Sequence, residues 1–155
     1  MDDATPYYYG NAENKLNSKG QVAIPARFRS VLPEEDKGTN YVLIRGEAPC
    51  LYMYTHRQFE KIKNNARNVA EESGDGDFYR SFMAEAHSVD IDTQGRFVLP
   101  QWFMKAVGIV GPSVLFIGLD DRIELWEPKV YASHKGGVER YEALRHSAAK
   151  KIFGI

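Results

Sequence analysis

The sequence predicts an α+β chain in which one small strand–turn–strand–helix unit occurs twice and the two copies share a β core. Three observations carry this reading. Leu16-Asn17-Ser18-Lys19-Gly20-Gln21-Val22-Ala23-Ile24-Pro25 is matched 75 residues later by Ile91-Asp92-Thr93-Gln94-Gly95-Arg96-Phe97-Val98-Leu99-Pro100. Val42 to Gly46 is matched by Val114 to Gly118, and Leu51 to Tyr54 by Ile123 to Trp126, now at a spacing of 72 residues. The change in spacing falls in the loop after the first helix, where length varies most easily. Neither copy buries much surface alone, so the two are expected to pack about a pseudo-twofold axis.

The elements follow in order. In the second copy, His87 to Ile91 alternates toward Val89 and Ile91, as a half-buried strand does. Thr93-Gln94-Gly95 is a turn, with glycine supplying a positive φ. Arg96 to Leu99 is the next strand. Pro100 suits the first turn of a helix, Gln101 to Val107 forms that helix, and Gly108 is placed to cap it. Ser113 to Gly118 and Arg122 to Trp126 are strands around an Asp120-Asp121 turn. The first copy repeats this from Asn14 to Tyr54.

Between the copies, Thr55 with Gln58 reads as a capping box. The helix it opens carries Phe59, Ile62, Ala66, Val69 and Ala70 on one face. Ser73-Gly74-Asp75-Gly76 breaks it, and Phe78, Phe82 and Met83 mark a second short helix. After Pro128 comes more helix, with a Gly136-Gly137 break and Tyr141, Leu144 and Ala148 on one face. The predicted organisation is a first unit over 7–56, connecting helices over 57–84, a second unit over 85–128 and a helical segment over 129–155.

Composition narrows the function classes. The chain has 155 residues, 43% hydrophobic and 26% charged, which suits a folded protein. It has no apolar run of about 18 residues, so no membrane-spanning helix is expected. The acidic start, Met1 to Pro6, does not resemble a secretion signal. The single cysteine, Cys50, allows no intrachain disulfide and no cysteine-based metal site, and fits a reducing, cytoplasmic setting. Cys50 reads as a small apolar filler. The four histidines, His56, His87, His134 and His146, show no metal-ligand spacing. His87 reads as packed or hydrogen-bonded rather than catalytic. Tyr52, Tyr54 and Trp126 read as core or subunit contacts. No glycine-rich phosphate loop precedes a helix. The reading is therefore not an enzyme, with no cofactor, metal, membrane or small-molecule substrate.

Charge is informative through its distribution. The net charge is −1 and the pI is near 6.4, which counts against nucleic acid for a monomer. Yet Lys15, Lys19, Arg27 and Arg29 fall in a stretch with no acidic residue, and six Lys/Arg stand against two Glu from Lys129 to Ile155. Acid is concentrated at Glu34 to Asp36, Glu71 to Asp77 and Asp120 to Glu127.

The motif that stands out is Asp92-x-x-Gly95-Arg96. A carboxylate and a guanidinium four apart across a tight turn can pair, fixing the turn and aiming the arginine outward. A hairpin lock alone is the simpler reading of that pair.

The pattern hydrophobic-Asp-x-x-Gly-Arg-hydrophobic-x-hydrophobic-Pro, followed by a short helix ending near glycine, resembles the SpoVT/AbrB-type swapped-hairpin DNA-binding unit. Two such units in one chain resemble the MraZ family of bacterial transcriptional regulators, over about Tyr9 to about Lys150. The resemblance implies two tandem swapped-hairpin β units forming an intrachain pseudo-dimeric β core with flanking helices. It implies a ring homo-oligomer that binds double-stranded DNA at short direct promoter repeats, usually repressing its own division and cell-wall operon, in the cytoplasm at the nucleoid.

The family motif is intact in the second copy as Asp92 and Arg96, around Gly95. In the first copy Asn17 and Gln21 replace it, around Gly20. Glutamine can still hydrogen-bond a base edge, most naturally adenine, but brings no charge and no guanidinium fork. The DNA-binding residues expected from the resemblance are Lys19, Gln21, Arg27 and Arg29, with Lys15 in support, while Arg96 either contacts DNA or locks its own hairpin. On sequence alone the first copy is the more basic face. The alternative is an oligomeric scaffold or interaction module that has lost DNA affinity, with Gln21 as its sign.

Overall fold

Short strands are marginal in isolation, and the way this chain partners its own defines the architecture. The computed structural model describes residues 7–32, 40–134 and 138–155. The acidic run Glu34 to Asp36, the Gly136-Gly137 break and Met1 to Pro6 lie outside the described residues.

The first copy supplies β1 (Asn11–Lys15), β2 (Gln21–Ala23), the short helix α1 (Ala26–Arg29), β3 (Tyr41–Arg45) and β4 (Leu51–Thr55). Two helices follow, α2 (His56–Ser73) and α3 (Gly76–Glu85). The second copy supplies β5 (His87–Val89), β6 (Arg96–Val98), α4 (Gln101–Val107), β7 (Ser113–Leu119) and β8 (Arg122–Trp126). The C-terminal helices are α5 (Pro128–His134), α6 (Val138–Ser147) and α7 (Ala149–Phe153).

The fold is α+β. Six strands form one antiparallel sheet in the order β1-β7-β8-β4-β3-β5, and β2 pairs with β6 as a separate ribbon. The order reads the same from either edge once the copies are exchanged. β1 does not pair with its own β3; it lies along β7, with Asn11 opposite Ile117 and Lys15 opposite Ser113. Likewise β5 lies along β3, with Tyr41 opposite Val89. The pseudo-twofold axis runs between β4 and β8, where Tyr52 faces Glu124, and through the ribbon, where Val22 faces Phe97. The expected pseudo-dimer is therefore a strand exchange within one chain.

One core serves both copies. Val22, Ile24, Phe28, Leu43 and Met53 from the first pack with Phe97, Leu99, Phe103, Phe116 and Leu125 from the second. This core lies between the sheet and the ribbon with its short helices. The other sheet face is covered as well. Val42, Ile44 and Tyr54 pack under Phe59 of α2 and Phe82 and Met83 of α3, while Leu115, Trp126 and Cys50 pack under Val130 and Tyr131 of α5. Cover on both faces explains why Tyr41-Val42-Leu43-Ile44 is a continuous apolar run rather than an alternating one. Cys50 is fully buried, and burial pushes its thiol up to about 12, so it is inert filler at neutral pH.

Local signals match their elements. Thr55 Oγ1 accepts from the Gln58 backbone N–H at 3.2 Å while Gln58 Oε1 accepts from the Thr55 N–H at 2.9 Å, completing the capping box of α2. Gly74, with φ 68°, ends α2 in the left-handed conformation. Two face assignments differ from expectation. Val69 is 51% exposed, because it lies about 100° around the helix from the buried Ala70. Tyr141 and Leu144 of α6 are 61% and 67% exposed, and no face of this helix is buried among the described residues.

Phe116 sits on β7 in the shared core with no exposed surface. Phe116→Ala is expected to cost about 3–5 kcal/mol, because the transfer and cavity terms add. Urea unfolding should show a single transition moved to lower concentration, with loss of both copies together. Independent melting of the two copies would contradict the shared core.

Candidate nucleic-acid interface

A tight turn leaves backbone N–H groups pointing inward, and a side-chain oxygen at its first position can collect them. Both turns of this chain do so. In the second, Asp92 Oδ1 accepts from the N–H of Gln94 and of Arg96, each at 2.8 Å, and Oδ2 accepts from Arg96 Nε at 2.9 Å. In the first, Asn17 Oδ1 accepts from the N–H of Lys19 and of Gln21, each at 2.9 Å, and Asn17 Nδ2 donates to Gln21 Oε1 at 3.0 Å. The backbone bonds correspond too. Asn17 N–H donates to Gln21 O at 3.0 Å and Asp92 N–H to Arg96 O at 2.9 Å. Gly20 and Gly95 hold φ of 80° and 79°, where other residues are strained.

The Asp92–Arg96 pair is half exposed and adds little stability as a bare ion pair. The two backbone N–H bonds matter more to the carboxylate. The Arg96 N–H, then its guanidinium and the Gln94 N–H, outweigh desolvation and hold the Asp92 carboxyl below its ordinary range.

Strand exchange places each turn beside the other copy. The Ile24 N–H donates to Gly95 O, and the Leu99 N–H donates to Gly20 O, both at 2.8 Å. The turn 17–20 therefore sits at the start of α4, and the turn 92–95 sits at the start of α1. The residues that sequence reading grouped together are consequently divided. Arg29 donates from Nε to Ile24 O at 3.3 Å and lies across Gly95, where an added Cβ would meet the guanidinium at 2.6 Å. Arg29 thus lies against the turn that carries Arg96. Arg27 donates to Asn11 O at 3.2 Å and covers Gly10, at the end of its hairpin away from Lys19. Lys15 is exposed where β1 runs into the turn, and Lys19 is exposed at the turn tip. The basic neighbourhood expected around Gln21 is therefore split, because α1 folds over the far end of its hairpin, and the turn carrying Arg96 gains Arg29.

Two apolar neighbours were missed from sequence. Val98 on the ribbon is 56% exposed, with a methyl 3.9 Å from the Cβ position of Gly20. Trp102 is 46% exposed and stacks on Phe103 at 3.9 Å between ring centroids. The 75-residue spacing sets Trp102 opposite Arg27, and that mismatch between copies was the available signal. Asn14, whose Nδ2 donates to Ala23 O at 2.7 Å, ties β1 to β2 and had no sequence signal.

The histidines are spread out. His87 packs edge-on to Phe103, His134 lies against Trp126, and His56 Nε2 is 3.3 Å from Ser88 Oγ. Among the described residues no group of three His, Cys, Asp or Glu is placed to hold a metal. Among them no helix is long and apolar enough to cross a membrane.

Comparison with known proteins adds a family. A family model described as "MraZ protein, putative antitoxin-like" matches residues 82–136. The chain is 31% identical over 126 residues to the transcriptional regulator MraZ of Cytophaga hutchinsonii, covering 81% of this chain and 82% of that one. It is 30% identical over 130 residues to that of Acetivibrio thermocellus, covering 83% and 87%. The match to that of Halothermothrix orenii is 31% over 150 residues, covering 96% and 99%.

A carboxyl held below its unfolded value stabilises the fold above the unfolded range, and this contribution is lost as pH falls through the folded value. Asp92→Asn is thus expected to lower the urea midpoint near neutral pH. The gap to the parent protein should begin to close as pH falls through the ordinary aspartate value, about 4, and should close fully only below the lowered folded value. A gap independent of pH would contradict a role for the charged carboxylate.

Proposed function

The chain belongs to the MraZ family, and on that premise we propose that it is a sequence-specific DNA-binding transcriptional regulator. It represses its own division and cell-wall operon by binding short direct repeats in the promoter as a ring homo-oligomer, in the cytoplasm at the nucleoid. The units over 7–56 and 85–128 act together as one DNA-facing module. The helices over 57–84 and 129–155 serve packing and assembly. The relatives are named transcriptional regulators, which speaks for a binding protein rather than an enzyme. This role involves no cofactor and no small-molecule substrate.

The observation that carries the reading is the pair of matched turns flanking the β2–β6 ribbon on the pseudo-twofold axis. Each turn has its last side chain held by the residue four before it, Gln21 through the Oε1 that accepts from Asn17 and Arg96 through the Nε that donates to Asp92. Lys15, Lys19 and Gln21 serve the first turn, with Arg29 and Arg96 at the second and Arg27 beyond. Lysine and arginine at such positions meet phosphates, and the outward N–H groups of Gln21 and Arg96 meet base edges. Exposed Val98 and Trp102 add apolar surface of the kind that meets thymine methyl groups. A net charge of −1 makes a single copy a weak DNA binder, and ring assembly compensates by engaging several repeats at once.

Gel-shift titration with the upstream promoter fragment is the test. Affinity should fall steeply with salt, and Lys19→Ala should reduce the log–log salt slope by about 1, weakening all sequences alike. An unchanged slope would remove Lys19 from the interface. No binding to any repeat-containing fragment, with binding gained only in Gln21→Arg, would favour the scaffold reading.

A further inference from the structure

The first turn does more than tolerate the loss of an arginine. Asn17 has one side-chain oxygen, and both backbone N–H groups of the turn use it. Its NH2 group must then face Gln21, and it donates to Gln21 Oε1. That leaves Gln21 Nε2 as the group facing away from the turn, with no partner among the described residues. Asp92 behaves differently because it has two oxygens, one for the backbone and one to receive Arg96 Nε. The two turns thus reach one outcome by opposite polarities: each presents N–H donors outward, charged at Arg96 and neutral at Gln21.

We propose that Asn17 sets the polarity of Gln21, turning its Nε2 donor outward, so that Gln21 favours guanine or thymine edges and disfavours cytosine. Guanine offers two acceptors, N7 and O6, thymine offers O4, and adenine offers N7 beside its amino donor, whereas cytosine offers only its amino donor in the major groove. Bidentate pairing with adenine, the usual habit of glutamine, needs an accepting oxygen. Here that oxygen is drawn toward Asn17, which takes one of its two acceptor positions and turns it from the edge that Nε2 faces, so the adenine preference is weakened. Asn17 is a positioning residue, and Gln21 is the group that touches the base. The inference rests on the DNA-binding role proposed above.

The test is selection of bound sites from randomised duplex DNA by the full chain and by Asn17→Asp. Aspartate already occupies the equivalent place in the second turn, so this variant keeps the fold, which a thermal melt verifies. Its second oxygen would receive Gln21 Nε2 and turn Oε1 outward. The parent protein should select against cytosine at one position per repeat, roughly fivefold or more. Asn17→Asp should lose or reverse that preference toward cytosine or adenine. Gln21→Glu leaves Asn17 in place and presents a charged acceptor, and should weaken binding roughly tenfold or more. If the parent binds DNA but Asn17→Asp keeps the same base preference at every position, the inference is wrong and the DNA-binding role stands. Undiminished binding by Gln21→Glu would overturn the inference in the same way. If the parent selects no DNA at all, the binding role itself fails.

Discussion

The ladder between β1 and β7, with its counterpart between β5 and β3, is the constraint on which the rest of this structure depends. Every backbone donor and acceptor in a buried strand needs a partner. The buried strands β3 and β7 each find one of their two partners in the first strand of the other copy, which forms the edge of the sheet. Once those strands cross over, the hairpins must follow, and β2 meets β6 face to face on the axis. The core between sheet and ribbon is then built from both copies, with Val22 against Phe97 at its centre. Helices α2, α3 and α5 add a second layer that closes the outer face.

Exchange also decides what surrounds each turn. A turn held by its own side chains is a local structure, and both turns keep the same backbone bonds with different chemistry. Their surroundings are not local. Gly95 accepts from Ile24 and is roofed by Arg29, while Gly20 accepts from Leu99 and lies near Val98. One turn therefore joins two arginines, and the other joins lysine and amide donors with apolar neighbours. The two faces offered to a partner differ in charge although their backbones agree.

Much of this was legible in the sequence, for reasons that can be named. The 75-residue and 72-residue spacings exposed the duplication. Pro100 and Gly108 bounded α4, and Thr55 with Gln58 opened α2, because caps and turns are written in adjacent residues. The pairing of Asp92 with Arg96 was equally local, spanning four residues. The face of α2 was misread at Val69, where a single helical step separates exposed from buried.

What the sequence determined by itself was therefore everything set within a few residues: the repeated unit, its elements, its turns and the α+β class. Only the tertiary structure decided which copy each strand pairs with, and so which basic residues share a face. Sequence proximity put Arg29 with Gln21, eight positions apart. Backbone pairing between copies put it across Gly95, on the turn that carries Arg96, instead. A hydrogen-bond ladder between residues about a hundred positions apart leaves no mark on local pattern, and only the folded sheet reveals it.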